Sequence, residues 1–200
     1  MIENTLRAMR QHEKIPAPAR RDSIRAQLIA AYAETHLSAI QTRIGWIGIA
    51  WTPRGIIAIE LPRGSRGETL TNLQRDFRAA MMDDRVPDKI KKELSEYAEG
   101  KRRYFDLPLD WSRVKPFQRA VLTAALKIPF GETRSYGWVA HAIGKPRAAR
   151  AVGRALATNP IPLILPCHRV VGSNGSLTGY GGGLPLKKKL LEMEARFASA

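Results

Sequence analysis

With 200 residues the chain has room for one large domain or two small ones around a real core. Its single cysteine excludes an internal disulfide and a multi-cysteine zinc cluster, its start (MIENTLRAMRQHEKIP) is too charged for a signal peptide, and no later stretch could span a bilayer. The 33 Lys and Arg against 18 Asp and Glu, a net charge of +15, point to a polyanionic partner for a soluble protein expected in a reduced cytoplasm.

In chain order, residues 1–36 read as a helical extension, two short helices split by IPAPA, with Ile24, Leu28 and Tyr32 on one stripe. No chemistry attaches to it. From Ser38 the period changes: IGWIGIAW and IIAIEL are β-rich runs joined by Thr52-Pro53-Arg54-Gly55, which predicts an antiparallel hairpin with a type I turn. Helices are predicted around Leu70–Ala80 and Asp88–Glu99. FDLPLDW then breaks the pattern and sets a boundary near Asp110, between a domain over 37–110 and another over 111–200.

The second part reads as short helices: Pro116–Leu126, Tyr136–Ile143 ending at Gly144, and Pro146 to about Thr158. The last two form a helix-turn-helix candidate. Ala148, Ala151, Val152, Ala155 and Leu156 make an apolar stripe, while Arg147, Arg150 and Arg154 share the opposite face, kept shallow by Ala149 and Gly153. A shallow basic face can approach a phosphate backbone closely. From Glu132 to Glu192 the chain carries no acidic residue, while Arg134, Lys145, Arg169 and Lys187–Lys189 also fall in that gap, so this segment is read as meeting nucleic acid.

The cysteine lies in this segment, in LPCHRVVGSNG. A thiol becomes nucleophilic beside an imidazole or a cation, and Cys167 precedes His168 and Arg169; adjacency is not contact, however, and a small buried thiol with a structural histidine is the competing reading. On the final helix, read as opening at Pro185, Leu186, Leu190, Met193 and Phe197 form an apolar stripe that includes Glu194. A carboxylate there needs a partner. His168 is the obvious one, which yields a Cys167–His168–Glu194 relay; Glu192, flanked by Lys188 and Arg196, is an ordinary solvated residue.

NPIPLILPCHRVVGSNGSLTGYGGG, preceded by RAARAVGRALAT and followed by LLEMEA, closely resembles the O6-alkylguanine-DNA alkyltransferases (methylated-DNA–protein-cysteine methyltransferases) from about Phe117 to Glu194. The resemblance implies an α+β (α/β) fold: a small ribonuclease H-like N-terminal domain with antiparallel strands, then a helical C-terminal domain with the helix-turn-helix. It implies direct-reversal DNA repair in which Cys167 irreversibly takes the alkyl group from O6-alkylguanine, and from O4-alkylthymine, in duplex DNA bound through its minor groove with the nucleotide flipped out.

By the same resemblance His168 relays the thiol proton through a water and Glu194 completes the relay. Asn159 ties the turn beneath the cysteine, Tyr136 helps rotate the nucleotide and donates to the base, and Arg150 fills the vacated stack. Arg147, Arg154, Arg169, Ala149 and Gly153 join Arg150 and Tyr136 at the DNA, and Pro162, Val170, Tyr180, Gly181 and Gly182 form the base pocket, the backbone of Cys167 and Val170 reading the base edge. No cofactor or metal is implied, the partner is double-stranded DNA, and the protein is expected as a monomer. Lys189 stands where relatives often carry an aromatic, and Gly181 where some have serine or alanine. The alternative class is a non-catalytic alkylguanine sensor or a helix-turn-helix regulator.

Overall fold

The structure, a computed structural model, describes residues 34–198. The helices expected within residues 1–33 lie outside the described residues.

The expected hairpin is present as β2 (Gly45–Thr52) and β3 (Gly55–Glu60), paired from Thr52↔Gly55 with a bulge at Ala50/Trp51. A strand that sequence reading did not assign, β1 (His36–Thr42), pairs antiparallel with β2, and β4 (Met81–Met82) adds to β1 in parallel, so the sheet order is β3-β2-β1-β4. The runs are nearly continuous in apolar residues because the sheet is covered on both faces. Leu37, Ala50, Ile57 and Ala58 pack with Leu73 and Phe77 on one side, while Ile40, Ile47, Ile49, Trp51, Ile56 and Ile59 face the main core on the other.

Helix α1 covers the first side and spans Arg66–Asp76, earlier than the predicted Leu70–Ala80. Ser65 and Glu68 form a capping box: the Ser65 amide donates to Glu68 Oε2 at 2.8 Å and the Glu68 amide donates to Ser65 Oγ at 3.3 Å. This S-x-x-E signature starts the helix four residues ahead of its first apolar stripe residue. Helix α2 (Asp88–Ala98) turns Ile90, Leu94, Tyr97 and Ala98 into the main core.

The chain then runs along the outer edge of β3. Ile56 N donates to Pro108 O, Asp110 N donates to Ile56 O, and Asp110 also accepts from Thr52 Oγ1, Arg54 Nε and Ser112 N. The close approach requires glycine at position 55: φ is +129°, and a Cβ there would lie 2.3 Å from Pro108 O. Further along the same edge, Ile59 N donates to Pro160 O at 2.8 Å, which pins the loop ahead of the cysteine to the sheet.

The remaining elements are α3 (Pro116–Leu126), β5 (Arg134–Ser135), α4 (Tyr136–Ala142), α5 (Ala149–Ala157), a 3-10 turn over Cys167–Arg169, β6 (Val170–Val171) and α6 (Gly183–Ala198). Ser135 caps α4 by accepting from Trp138 N at 3.1 Å. The helix expected from Pro146 begins only at Ala149, because Ala148 N donates to Lys145 O and closes a separate turn that contains Pro146 and Arg147. Pro185 lies inside the first turn of α6, where its missing N–H costs nothing. One core cluster runs from the sheet through Leu94 and Tyr97 to Val121, Leu122, Val139, Val152, Leu156, Leu165 and Leu190.

Candidate active site

The thiol is positioned from below by a single side chain. Asn159, just past the end of α5, accepts from Ile161 N at 3.0 Å and donates Nδ2 to Leu165 O at 2.8 Å and to Cys167 Sγ at 3.2 Å. The loop between them is tight enough to hold Leu163 at φ 71°, a conformation an ordinary side chain rarely adopts. Cys167 is 8 % exposed, and burial pushes its pKa up, against the smaller opposing effects of the Asn159 hydrogen bond and the Lys187 charge. The resting thiol is therefore protonated.

The 3-10 turn carries His168 and Arg169 inward, and both meet Glu194 on α6. His168 Nε2 lies 2.8 Å from Glu194 Oε1; Arg169 donates Nε to Oε2 at 2.9 Å and Nη2 to Oε1 at 3.0 Å. The amide of Gly131 and the hydroxyl of Tyr97 donate to the same carboxylate, at 3.2 and 2.7 Å. Burial alone would raise the Glu194 pKa, but the contacts with His168 and Arg169 outweigh it and hold it at about 2. His168 moves the other way: burial lowers its pKa, and the Arg169 and Lys187 charges add to that against Glu194. With the imidazole neutral, the guanidinium is the counter-charge of Glu194, and His168 donates a neutral N–H. His168 Nδ1 is buried and makes no hydrogen bond among the described residues.

This arrangement corrects one expectation. Arg169 was placed at the DNA surface, but it is 6 % exposed, its Nε and Nη2 are committed to Glu194, and its Nη1 donates to Ile128 O at 2.8 Å. Lys187, counted in the basic run, is also fully buried, its Nζ donating to Val170 O at 2.6 Å and Thr178 O at 3.3 Å. Sequence reasoning missed it and Tyr97. The signal for both was the one that exposed Glu194: Lys187 precedes Leu190 by three residues, and Tyr97 continues the Ile90–Leu94 stripe, so each polar end was bound to need a partner.

Beside this network lies a cleft of about 750 Å³ between the α4–α5 unit and the loop after β6. Tyr136, Ala149, Arg150, Gly153, Tyr180 and Gly181 are among its walls. Tyr136 Oη and Thr178 Oγ1 are 2.6 Å apart, which ties the start of α4 to the loop, and the β5–β6 pairing Arg134↔Val170 and Ser135↔Val171 fixes the same helix start against the residues after the cysteine. Arg63, from the N-terminal half, donates to Gly181 O at 2.8 Å. Pro162 and Val170 are buried rather than exposed in the cleft, and Gly182 packs where a Cβ would come within 2.5 Å of Leu186. Tyr180 has its pKa raised well above the ordinary value, first by burial and then by Cys167 and Glu194 nearby.

On α5, Val152, Ala155 and Leu156 are buried while Arg150 and Arg154 are exposed; Arg147 is exposed in the preceding turn, not on the helix. Of the three, only Arg150 borders the cleft. The three therefore share a basic surface without sharing an environment.

A buried thiol, an imidazole held by a charged carboxylate, and a cleft edged by the basic α4–α5 helix pair are the parts of a cysteine-based group-transfer protein that meets a polyanion. The sequence model of the family described as 6-O-methylguanine DNA methyltransferase, DNA binding domain, matches residues 116–196. The inducible methylated-DNA–protein-cysteine methyltransferase of Bacillus subtilis is 40% identical over 157 residues, 76% of this chain and 85% of the relative. The methylated-DNA–protein-cysteine methyltransferase of Methanosarcina barkeri is 40% identical over 160 residues, 78% of this chain and 94% of that protein. Among solved structures, Mycobacterium tuberculosis OGT in complex with DNA superposes with a TM-score of 0.70 at 39% identity, covering 81% of this chain and 94% of the other. The chain belongs to the methylated-DNA–protein-cysteine methyltransferase family.

Proposed function

We propose that this chain repairs DNA by transferring the alkyl group of O6-alkylguanine to Cys167. The observation that carries the reading is the Sγ of Cys167 held by Asn159 next to a buried His168–Glu194 pair and beside a cleft edged by Arg150 and Tyr136. A methyl on guanine O6 is out of reach inside a duplex, so the nucleotide leaves the stack at a cost of about a few kcal/mol. A basic helix in the minor groove, with Arg150 in the vacated place, offsets that cost.

The thiol proton passes through one bridging water to His168 Nδ1, the ring nitrogen that makes no hydrogen bond among the described residues. Sulfur then bonds to the alkyl carbon in line with the breaking carbon–oxygen bond, whose electron pair stays on the purine. Tyr136 supplies the hydrogen bond that meets this charge, and the purine takes up a proton from solvent to become guanine while His168 returns its own to solvent. Net, one proton moves from thiol to base and one alkyl group from base to sulfur. A thioether does not hydrolyse readily, so each chain acts once; O4-alkylthymine fits the same chemistry. The protein works as a monomer in the cytoplasm.

Chelator-treated protein given excess duplex containing O6-methylguanine is expected to stop at one methyl per chain, located on Cys167 by mass spectrometry. Sustained turnover contradicts the single-use reading, and binding without any adduct returns a sensor or regulator.

The three arginines separate in a second experiment. Arg147→Ala and Arg154→Ala are expected to weaken duplex binding and lower its salt slope by about one each. Arg150→Ala slows transfer from duplex DNA far more than transfer from the free base O6-benzylguanine, because only the duplex leaves a gap to fill. Equal slowing on both substrates removes Arg150 from that role.

A further inference from the structure

We propose that Tyr97, contributed by α2 of the N-terminal half, is a positioning residue that keeps the His168 ring proton on Nε2 and leaves Nδ1 as the basic nitrogen for the Cys167 proton. The inference rests on the reading of Cys167 as alkyl acceptor.

Tyr97 is fully buried, and its hydroxyl lies 2.7 Å from Glu194 Oε1 and 3.2 Å from His168 Nε2. An ionised carboxylate only accepts, so the single phenolic hydrogen goes to Glu194. The hydroxyl then faces Nε2 with a lone pair, as does Oε1 at 2.8 Å. Nε2 therefore meets two acceptors, and only an N–H there satisfies both; a bare Nε2 would set lone pairs against one another in a buried site. In a neutral imidazole the other nitrogen, Nδ1, must then carry the free lone pair.

Tyr97 also restrains the carboxylate. Oε1 accepts from Tyr97, Arg169 and His168 at once, so its charge is shared three ways. The groups facing His168 are Glu194 and Lys187 from α6, Arg169 and Cys167 from its own turn, Tyr97 from α2 and the Tyr180 ring from the loop at 6.3 Å. Of these only Glu194 draws a proton onto the imidazole, and Tyr97 is the neutral group that tempers it. Burial and the neighbouring Glu194 charge keep Tyr97 itself protonated.

The test is ring nitrogen NMR of His168 across pH in the full-length protein, paired with the rate of methyl uptake from O6-methylguanine duplex. Wild type is expected to show the Nε2–H form at neutral pH. Tyr97→Phe keeps the ring packing against Phe105 and Phe130 but frees charge on Oε1, so the His168 midpoint and the acid limb of the transfer rate should both rise by about 0.5–1 pH unit. Site-specific 3-fluorotyrosine at position 97, a stronger donor, should move both the opposite way, and it retains every contact should Tyr97→Phe fold poorly. A wild-type Nδ1–H form, or midpoints that stay put in the variants, overturns the role of Tyr97. Absence of methyl uptake by wild type instead sinks the alkyl-acceptor reading, while the NMR result stands on its own.

Discussion

Cys167→Ser is expected to take up no alkyl group at all while binding duplex DNA as wild type does. The exchange is nearly isosteric, and a hydroxyl can still accept from Asn159 Nδ2, so the loop from Asn159 to Arg169 keeps its geometry. What changes is acidity. Burial already pushes the thiol pKa up, and a neutral His168 can draw off a thiol proton only because sulfur holds it weakly; an alcohol oxygen holds it far more tightly. Counting methyl groups per chain and measuring duplex affinity by fluorescence anisotropy on the same preparation separate the two properties. Methyl uptake by Cys167→Ser would place the acceptor elsewhere, and a large loss of affinity would show that the thiol itself holds DNA.

Glu194→Gln is expected to damage both stability and transfer. The carboxylate balances the buried Arg169, and leaving that guanidinium without a counter-charge costs about 3–5 kcal/mol. Transfer slows by about 10²–10⁴-fold, because His168 loses the charge that makes it a competent base. The pH dependence has a definite sign. The folded pKa of Glu194 is depressed from 4.5 to about 2. Its contribution to stability is fully present above pH 4.5 and is lost as pH falls toward 2. Wild type and Glu194→Gln should therefore differ most near neutrality and converge in acid, in chemical denaturation at a series of pH values. Glu192→Gln is the control: Glu192 is exposed, 3.7 Å from Lys188, and its change should stay within about 0.5 kcal/mol. Parallel stability curves for wild type and Glu194→Gln down to pH 2 would remove the charge pairing from the account.

Glu194 and the hairpin were legible because both are local anomalies: a carboxylate on an apolar stripe, and two β-rich runs around a Pro- and Gly-containing turn. The same stripe rule reaches Lys187 and Tyr97, but the basic gap places Lys187 with Lys188 and Lys189 in a segment read as meeting nucleic acid, and a tyrosine on a core stripe passes for plain packing. Arg169 illustrates the limit of counting charge along the chain. The basic gap assigned it to DNA, whereas the 3-10 turn folds it back onto a carboxylate on another element. Strand β1 escaped because Ser38 and Gln41 interrupt its apolar residues, although Ser38 itself is buried. The two-residue ladders β1–β4 and β5–β6 join segments far apart in sequence and leave no local mark. Pro146 drew the start of α5 three residues too early, since a proline favourable in a first helical turn is equally at home in the tight turn it occupies.

The carboxylate that gathers Tyr97, Gly131, His168 and Arg169 sits on α6, which makes this cluster a product of tertiary assembly. Its partners come from α2, from the turn ahead of β5 and from the 3-10 turn, so the site is complete only when the C-terminal helix has docked against elements made well before it. Until α6 docks, the imidazole has no carboxylate to hold it and the guanidinium no counter-ion. Completion of the fold and completion of the His168–Glu194–Arg169 cluster are thus one event, closed by the same helix.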